Sequence, residues 1–212
     1  MKIISAALLI AVLVMGAAAY WYKGKTNEQL AKKQEEALVR DYSPWYGAAE
    51  AKVVLVEFFD PACETCAQFY PIVKNLLKTY DGKLKVVYRY APLHKNSDAI
   101  AVLLEALRKK QKFEKALEIL FANQNTWVIN HTSRVELAVS LLKANDVIFY
   151  ADKTLEDMSS EEILARVSQD IADAKTLGVT MTPEFFVNGR RLEKFGYKEL
   201  VKLIEDEIKK AY

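Results

Sequence analysis

The chain has 212 residues, of which 51% are hydrophobic and 27% charged, with a formal net charge of +2. That length accommodates one main domain with an ample core, and the near-balanced, interspersed charge excludes the basic stripe of a nucleic-acid-binding protein. Two cysteines are too few for a disulfide-stapled secreted scaffold.

Residues 3 to 22, IISAALLIAVLVMGAAAYWY, carry no charge, and a helix of that length crosses a hydrocarbon core of about 30 Å. Tyr20, Trp21 and Tyr22, followed by Lys23 and Lys25, read as an interfacial belt with its anchors. The competing reading over residues 1–22 is a signal peptide, because AAA at 17 to 19 fits a small-x-small cleavage rule. The apolar run continues straight into aromatics, which favours an uncleaved anchor. Either reading carries the remainder out of the cytoplasm. Residues 23–42 are polar and charged, a solvated stalk. SPWYG at 43 to 47 breaks the stalk, so the folded domain is expected over 43–212.

KVVLVEFFD, 52 to 60, reads as a buried strand. Phe69, Ile72, Val73, Leu76, Leu77 and Tyr80 then recur at helical spacing, and Asp81-Gly82 ends that helix. LKVVYRYAPL, 84 to 93, is a second strand. From about 97 to 177 no strand is evident, and apolar faces such as Ala99, Val102, Leu103, Ala106 and Leu107 predict a helical insertion. GVTMTPEFFVNGRRLE, 178 to 193, returns to strand character with Asn188-Gly189 as a two-residue hairpin turn. Residues 197–211 form a last amphipathic helix. The order β-α-β, several helices, β-β-α predicts an α/β fold with a central sheet interrupted by a helical insertion.

FFDPACETCAQFYP, 58 to 71, holds both cysteines, three positions apart at the strand-to-helix junction. Three accounts compete: a redox dithiol, half of a metal site, or a small structural staple. A cysteine at a helix N-terminus meets unsatisfied backbone N–H groups and the positive end of the dipole, which favour thiolate. Cys63 would hold that place, and Cys66, one turn further in, would be more shielded. Cys63 then exchanges with a substrate and Cys66 resolves the mixed disulfide. A bridge closing so short a loop gains little entropy. A metal would need two further ligands, and the only histidines, His94 and His131, lie outside finger-like spacing. The redox account is therefore favoured over the other two, with no metal and no cofactor expected. His94 is left outside the site as a hydrogen-bonded surface residue. Asp60 reads as a helix cap or a turn acceptor.

The segments VLVEFFDPACETC, Pro71 and GVTMTPEFFVNGRRL together resemble the thioredoxin superfamily, specifically its DsbA-like thiol:disulfide oxidoreductases. The resemblance runs from about Ser43 to the C-terminus, and includes APLHKNSDAIAVLLEA and KFEKALEILFANQNTW, which are similar to that family's inserted helical region. It implies that Cys63 is the exposed nucleophile, that Pro71 kinks the active-site helix, and that the Thr182–Pro183 bond is cis and faces the dithiol. A cis bond there would turn the backbone of Met181 and Thr182 toward the sulfurs as an edge for a substrate strand; the plain alternative for Pro183 is a simple turn. The family also has an acidic residue at the place of Glu57. That residue is either a half-exposed position of an alternating strand or a buried carboxylate with raised pKa that exchanges the proton of Cys66. Glu64 and Thr65 depart from the proline and histidine of the best-known oxidases. A glutamate beside Cys63 works against thiolate, so a moderate rather than strongly oxidising potential is expected.

The expected function is disulfide exchange with protein thiols outside the cytoplasm, in the periplasm or an equivalent space, with the protein tethered to the membrane and acting more as oxidant than as reductant or isomerase. The resemblance implies a membrane redox partner, such as a quinone-linked oxidase, for re-oxidation. A non-catalytic adaptor of the same fold is the alternative.

Overall fold

The structure, a computed structural model, describes residues 20–26, 29, 32–149 and 153–212. The expected membrane anchor or signal segment falls mostly on residues 1–19, outside the described residues. Among the described residues no helix is long and apolar enough to cross a membrane. The chain divides into two compact units, Met1–Glu36 and Ala37–Tyr212. Within the first, residues 20–26 and 32–36 are helical and exposed. The second begins at Ala37 rather than at Ser43, because Ala37 and Leu38 are buried and Arg40 forms an ion pair with Asp173. The last third of the expected stalk thus belongs to the domain.

The fold is mixed α/β. Strands β1 (Trp45–Gly47), β2 (Val53–Phe59), β3 (Leu84–Tyr90), β6 (Glu184–Val187) and β7 (Arg190–Arg191) form one sheet in the order β1-β3-β2-β6-β7. β2 is parallel to β3 and antiparallel to β6. Helix α1 (Glu64–Thr79) connects β2 to β3. The first strand ends with its apolar run at Phe59, whereas the second ends short of the expected residue 93: Ala91 N still donates to Phe59 O at 2.8 Å, but the next residue, Pro92, has no N–H to continue the ladder. The short strand β1 was not expected. It pairs antiparallel with β3, and only glycine fits its last position, where φ is +102° and a Cβ would lie 2.5 Å from Leu84 O.

Alternation along β2 sorts its side chains into two layers. Val53, Leu55 and Phe59 join a large core with Val73, Leu104, Leu117, Phe185 and Ile204, whereas Val56 and Phe58 join a smaller one with Leu38, Ala174 and Val179. Both faces of the strand are covered, and apart from Val54, which is half-buried near its start, every position in it is buried.

The insertion contains α2 (Ser97–Lys109), α3 (Phe113–Ala122), α4 (Gln124–Trp127), α5 (Val135–Ala144), α6 (Thr154–Asp157) and α7 (Glu161–Thr176). It also contains a ribbon that the apolar pattern did not reveal, β4 (Val128–Ile129) with β5 (Thr132–Ser133). Asn130 and His131 both have positive φ there, +50° and +56°, making a two-residue turn. Asn188 and Gly189 make the expected turn between β6 and β7. Helix α8 (Tyr197–Ala211) closes the chain.

A buried ion network ties three distant segments together. Arg89 on β3 is fully buried and donates to Asp170 Oδ1 at 2.8 Å, to Asp173 Oδ2 at 2.6 Å and to the Ala37 carbonyl at 2.7 Å. Arg40 donates to both oxygens of Asp173, and Tyr42 donates to Asp170. Removing one partner of a buried pair leaves an uncompensated charge. Arg89→Met is therefore expected to lower stability by about 3–5 kcal/mol in urea unfolding; a loss within experimental error would remove the clamp from the forces that hold the domain.

Candidate active site

The site is assembled where β2 and β3 end side by side. Asp60, fully buried, accepts from the Ala62 amide at 2.8 Å through one oxygen. Its other oxygen accepts from the Leu93 and His94 amides at 2.6 and 2.7 Å, and lies 2.8 Å from His94 Nδ1. Asp60 thus does not cap α1; it accepts the turn hydrogen bond from Ala62 that one of its two readings expected, and it does more. It fastens the loop after β2 to the loop after β3. Gln124 of the insertion holds the same loop by donating to the Pro61 carbonyl at 2.9 Å.

This fixes Cys63 as the N-cap of α1, with extended φ and ψ of −81° and 121°. The residue is 6% exposed, Cys66 is fully buried, and both are thiols. Pro71 lies inside α1, where its missing N–H interrupts the hydrogen-bond ladder. The Thr182–Pro183 bond is cis. The Thr182 carbonyl accepts from Cys63 Sγ at 3.2 Å, so residues 119 positions apart meet at the nucleophile. Pro183 is buried, whereas Met181 is 62% exposed at the rim. Met181, Pro183, Phe185, Leu192 and Phe195 line a groove of about 410 Å³ there.

The two thiols differ sharply in acidity. Cys63 is lowered from 9.0 to about 6: the Cys66 thiol donates to its sulfur, burial opposes ionisation, and the amides of Cys66 and Thr65 stabilise the thiolate. Cys66 is raised well above its ordinary value by burial, by its bond to Cys63 and by the charges of Cys63 and Glu57. Glu57 lies on β2 between Tyr88 of β3 and Phe185 of β6, with 1% exposure. Burial, then the Cys63 charge, raises its carboxyl from 4.5 to about 8. Its Oε2 has no hydrogen-bond partner among the described residues. Of its two sequence readings the half-exposed one is overturned, since the sheet is covered on both faces.

Glu64 is exposed and is not among the principal causes of the Cys63 shift; Thr65 acts through its main-chain amide. His94, left outside the site from sequence, sits at its edge, where burial lowers its pKa but the bond to Asp60 outweighs this and raises it. His131 on the β4–β5 turn stacks toward His94, with ring centroids 6.4 Å apart. Neither histidine could be placed from spacing, because the residues that aim them, Asp60 and the turn at Asn130, are remote or conformational.

Known proteins resemble the chain along most of its length. A family model described as thioredoxin matches residues 40–206. A Na(+)/H(+) antiporter, NhaA 3, of Salinispora tropica is 30% identical over 68% of the chain, but the match spans only 21% of that protein. The chain thus corresponds to about a fifth of the length of such relatives. A putative protein-disulfide oxidoreductase of Rickettsia bellii is 25% identical over 78% of the chain and 64% of its own length. Among solved structures, a thioredoxin-like oxidoreductase from Silicibacter pomeroyi is 26% identical with a TM-score of 0.69, covering 84% of this chain and 98% of that one. The fold of alpha-DsbA1 from Wolbachia pipientis is also similar, with a TM-score of 0.68 at 20% identity over 84% and 97% of the two chains.

The buried acid has a thermodynamic signature. The folded chain keeps the Glu57 proton up to about pH 8, whereas the unfolded chain releases it near 4.5. Between those values the native state binds the extra proton, so Glu57 makes stability fall as pH rises. Glu57→Gln is expected to gain stability relative to the parent across this window, by about 1.4 kcal/mol for each pH unit at most. Parallel stability profiles for the two proteins from pH 4.5 to 8 would rule out the raised carboxyl.

Proposed function

The chain belongs to the thioredoxin family, and from that premise we propose that it is a DsbA-like thiol:disulfide oxidoreductase that donates disulfides to protein thiols outside the cytoplasm through Cys63 and Cys66. The observation that carries this reading is the placement of Cys63 Sγ at the first turn of α1, 3.2 Å from the Thr182 carbonyl. The sulfur, only 6% exposed rather than open as the resemblance implies, faces the backbone of the cis-proline loop on one side and its own partner thiol on the other.

In the donating direction the Cys63–Cys66 disulfide meets a substrate thiolate. The thiolate attacks Cys63, the Cys63–Cys66 bond breaks, and Cys66 leaves as a thiolate. Because Cys66 is a poor thiolate, its departure calls for a proton, and Glu57, protonated at neutral pH, is the acid beside it. A second substrate thiolate then attacks the substrate sulfur of the mixed disulfide and releases Cys63. The substrate loses two electrons and gains a disulfide; the protein ends as a dithiol. Stabilising the Cys63 thiolate stabilises this reduced product and so strengthens the oxidant.

The backbone of Met181 and Thr182 would receive the substrate segment as an added strand, with side chains resting in the groove lined by Phe185 and Phe195. Between the cysteines, Thr65 supports the Cys63 thiolate through its main-chain amide, whereas Glu64 points to solvent and takes no part in the exchange. Renewed oxidation requires an electron acceptor, and a membrane oxidase linked to quinones fits a protein whose residues 3–22 are uncharged and apolar. On this reading residues 1–22 tether a periplasmic or equivalent domain, with the polar segment that follows as its stalk.

Two measurements test the proposal. Cys66→Ser is expected to accumulate mixed disulfides with reduced substrate protein under oxidising conditions, and Cys63→Ser to accumulate none; trapping by the Cys63 variant instead would reverse the assignment. A Cys63 pKa near 6 lies between those of thioredoxin and the strongest oxidases, so the reduction potential is expected between roughly −270 and −120 mV. A value at the lower end or below would assign the reductive direction.

A further inference from the structure

A second cluster stands at the mouth of the dithiol, and the exchange chemistry makes no use of it. Glu64 is the first residue of α1, His94 belongs to the loop after β3, and His131 sits on the β4–β5 turn. Three segments remote in sequence thus bring one carboxylate and two imidazoles together. One ligand atom from each lies within 4.8 Å of the other two. The imidazole planes are inclined by only 22°, and His131 Nδ1 is 3.9 Å from Glu64 Oε1.

His94 is oriented from behind. Its Nδ1 lies 2.8 Å from the buried Asp60 carboxylate, which fixes the proton on Nδ1 and leaves the Nε2 lone pair free to bind a cation. Asp60 is in turn immobilised by three backbone amides. A histidine held by a buried carboxylate is the usual support for a metal-ligating imidazole. A surface ion pair between Glu64 and His131 would by itself stabilise little, and it offers no reason for a second imidazole facing the same point.

We propose that Glu64, His94 and His131 bind a divalent transition-metal ion of the zinc type, through two nitrogens and one oxygen. Two imidazoles and a carboxylate match the donor set of three-ligand zinc sites, which keep a fourth position open. The donor set is too poor in oxygen for calcium or magnesium and lacks the soft sulfur that selects copper(I). Tetrahedral ligands around zinc stand about 3.3 Å apart, so the cluster must close slightly. Glu64 and His131, whose side chains are 60% and 79% exposed, are free to rotate inward, while His94 stays fixed. The bound ion would lie one residue from Cys63, on the face by which substrates approach.

The test is calorimetric titration of Zn2+ alone into the full chain, in detergent, with the Cys63–Cys66 disulfide formed and no free thiol present. Sulfur ligation is thereby excluded, and the result is independent of whether the dithiol turns over substrate. One equivalent is expected to bind, and His131→Ala and Glu64→Gln are each expected to weaken binding at least about tenfold. Both side chains are exposed, so these variants retain the fold, which circular dichroism verifies. Absence of binding to the oxidised parent, or binding that neither variant weakens, would overturn the proposal.

Discussion

One buried carboxylate sets the geometry on which the site depends. Asp60 gathers the amides of Ala62, Leu93 and His94, and those bonds decide where the chain leaves β2 and where it leaves β3. Cys63 follows three residues later, so its sulfur meets the Thr182 carbonyl only because the loop before it cannot move. Charge-assisted bonds from backbone amides are short and strong in a dry interior. Asp60 also reaches the dithiol through its main chain, its carbonyl accepting from the Cys63 amide at 3.1 Å.

From that placement the two sulfurs acquire opposite characters. They belong to the same residue type and lie on the same helical turn, yet Cys63 is made acidic and Cys66 is held protonated. The amides at the start of α1 solvate one sulfur, and the apolar sheet surface desolvates the other. Glu57 belongs to the second environment. Tyr88 and Phe185 flank it across the ladder, and the nearest charge that acts on it is the Cys63 thiolate itself. Three ionisable groups within one helix turn and one strand thus share their protons unequally.

Much of this was legible in the residues. Val53 to Phe59, the helical spacing after Cys66, and Asn188-Gly189 each obey a local rule, and each forms the element that rule predicts. The pair of cysteines stood out by spacing, and the strand-to-helix junction expected around it is present, with Cys63 at the start of α1. What escaped was whatever depends on two remote partners at once. β1 is three residues long and exists because β3 offers it an edge. Ala37 and Arg40 read as stalk until Asp173 and Arg89 give them a place. His94 and His131 carry no helical or finger-like period, because a buried aspartate and a left-handed turn bring them together. Glu57 read as ambiguous for a related reason: alternation along a strand cannot tell a covered face from a wet one.

The Arg89 clamp has a mechanical meaning. The carbonyl of Ala37 and the guanidinium of Arg40 are both caught in it, and Leu38 lies in the smaller core, whereas the cysteines belong to the larger one. Tension arriving along the main chain at Ala37 would be borne first by ion pairs beneath the opposite side of the sheet. A strain relief of this kind lets the domain be tugged, reoriented or dragged by its leading end while the spacing of its reactive sulfurs stays undisturbed.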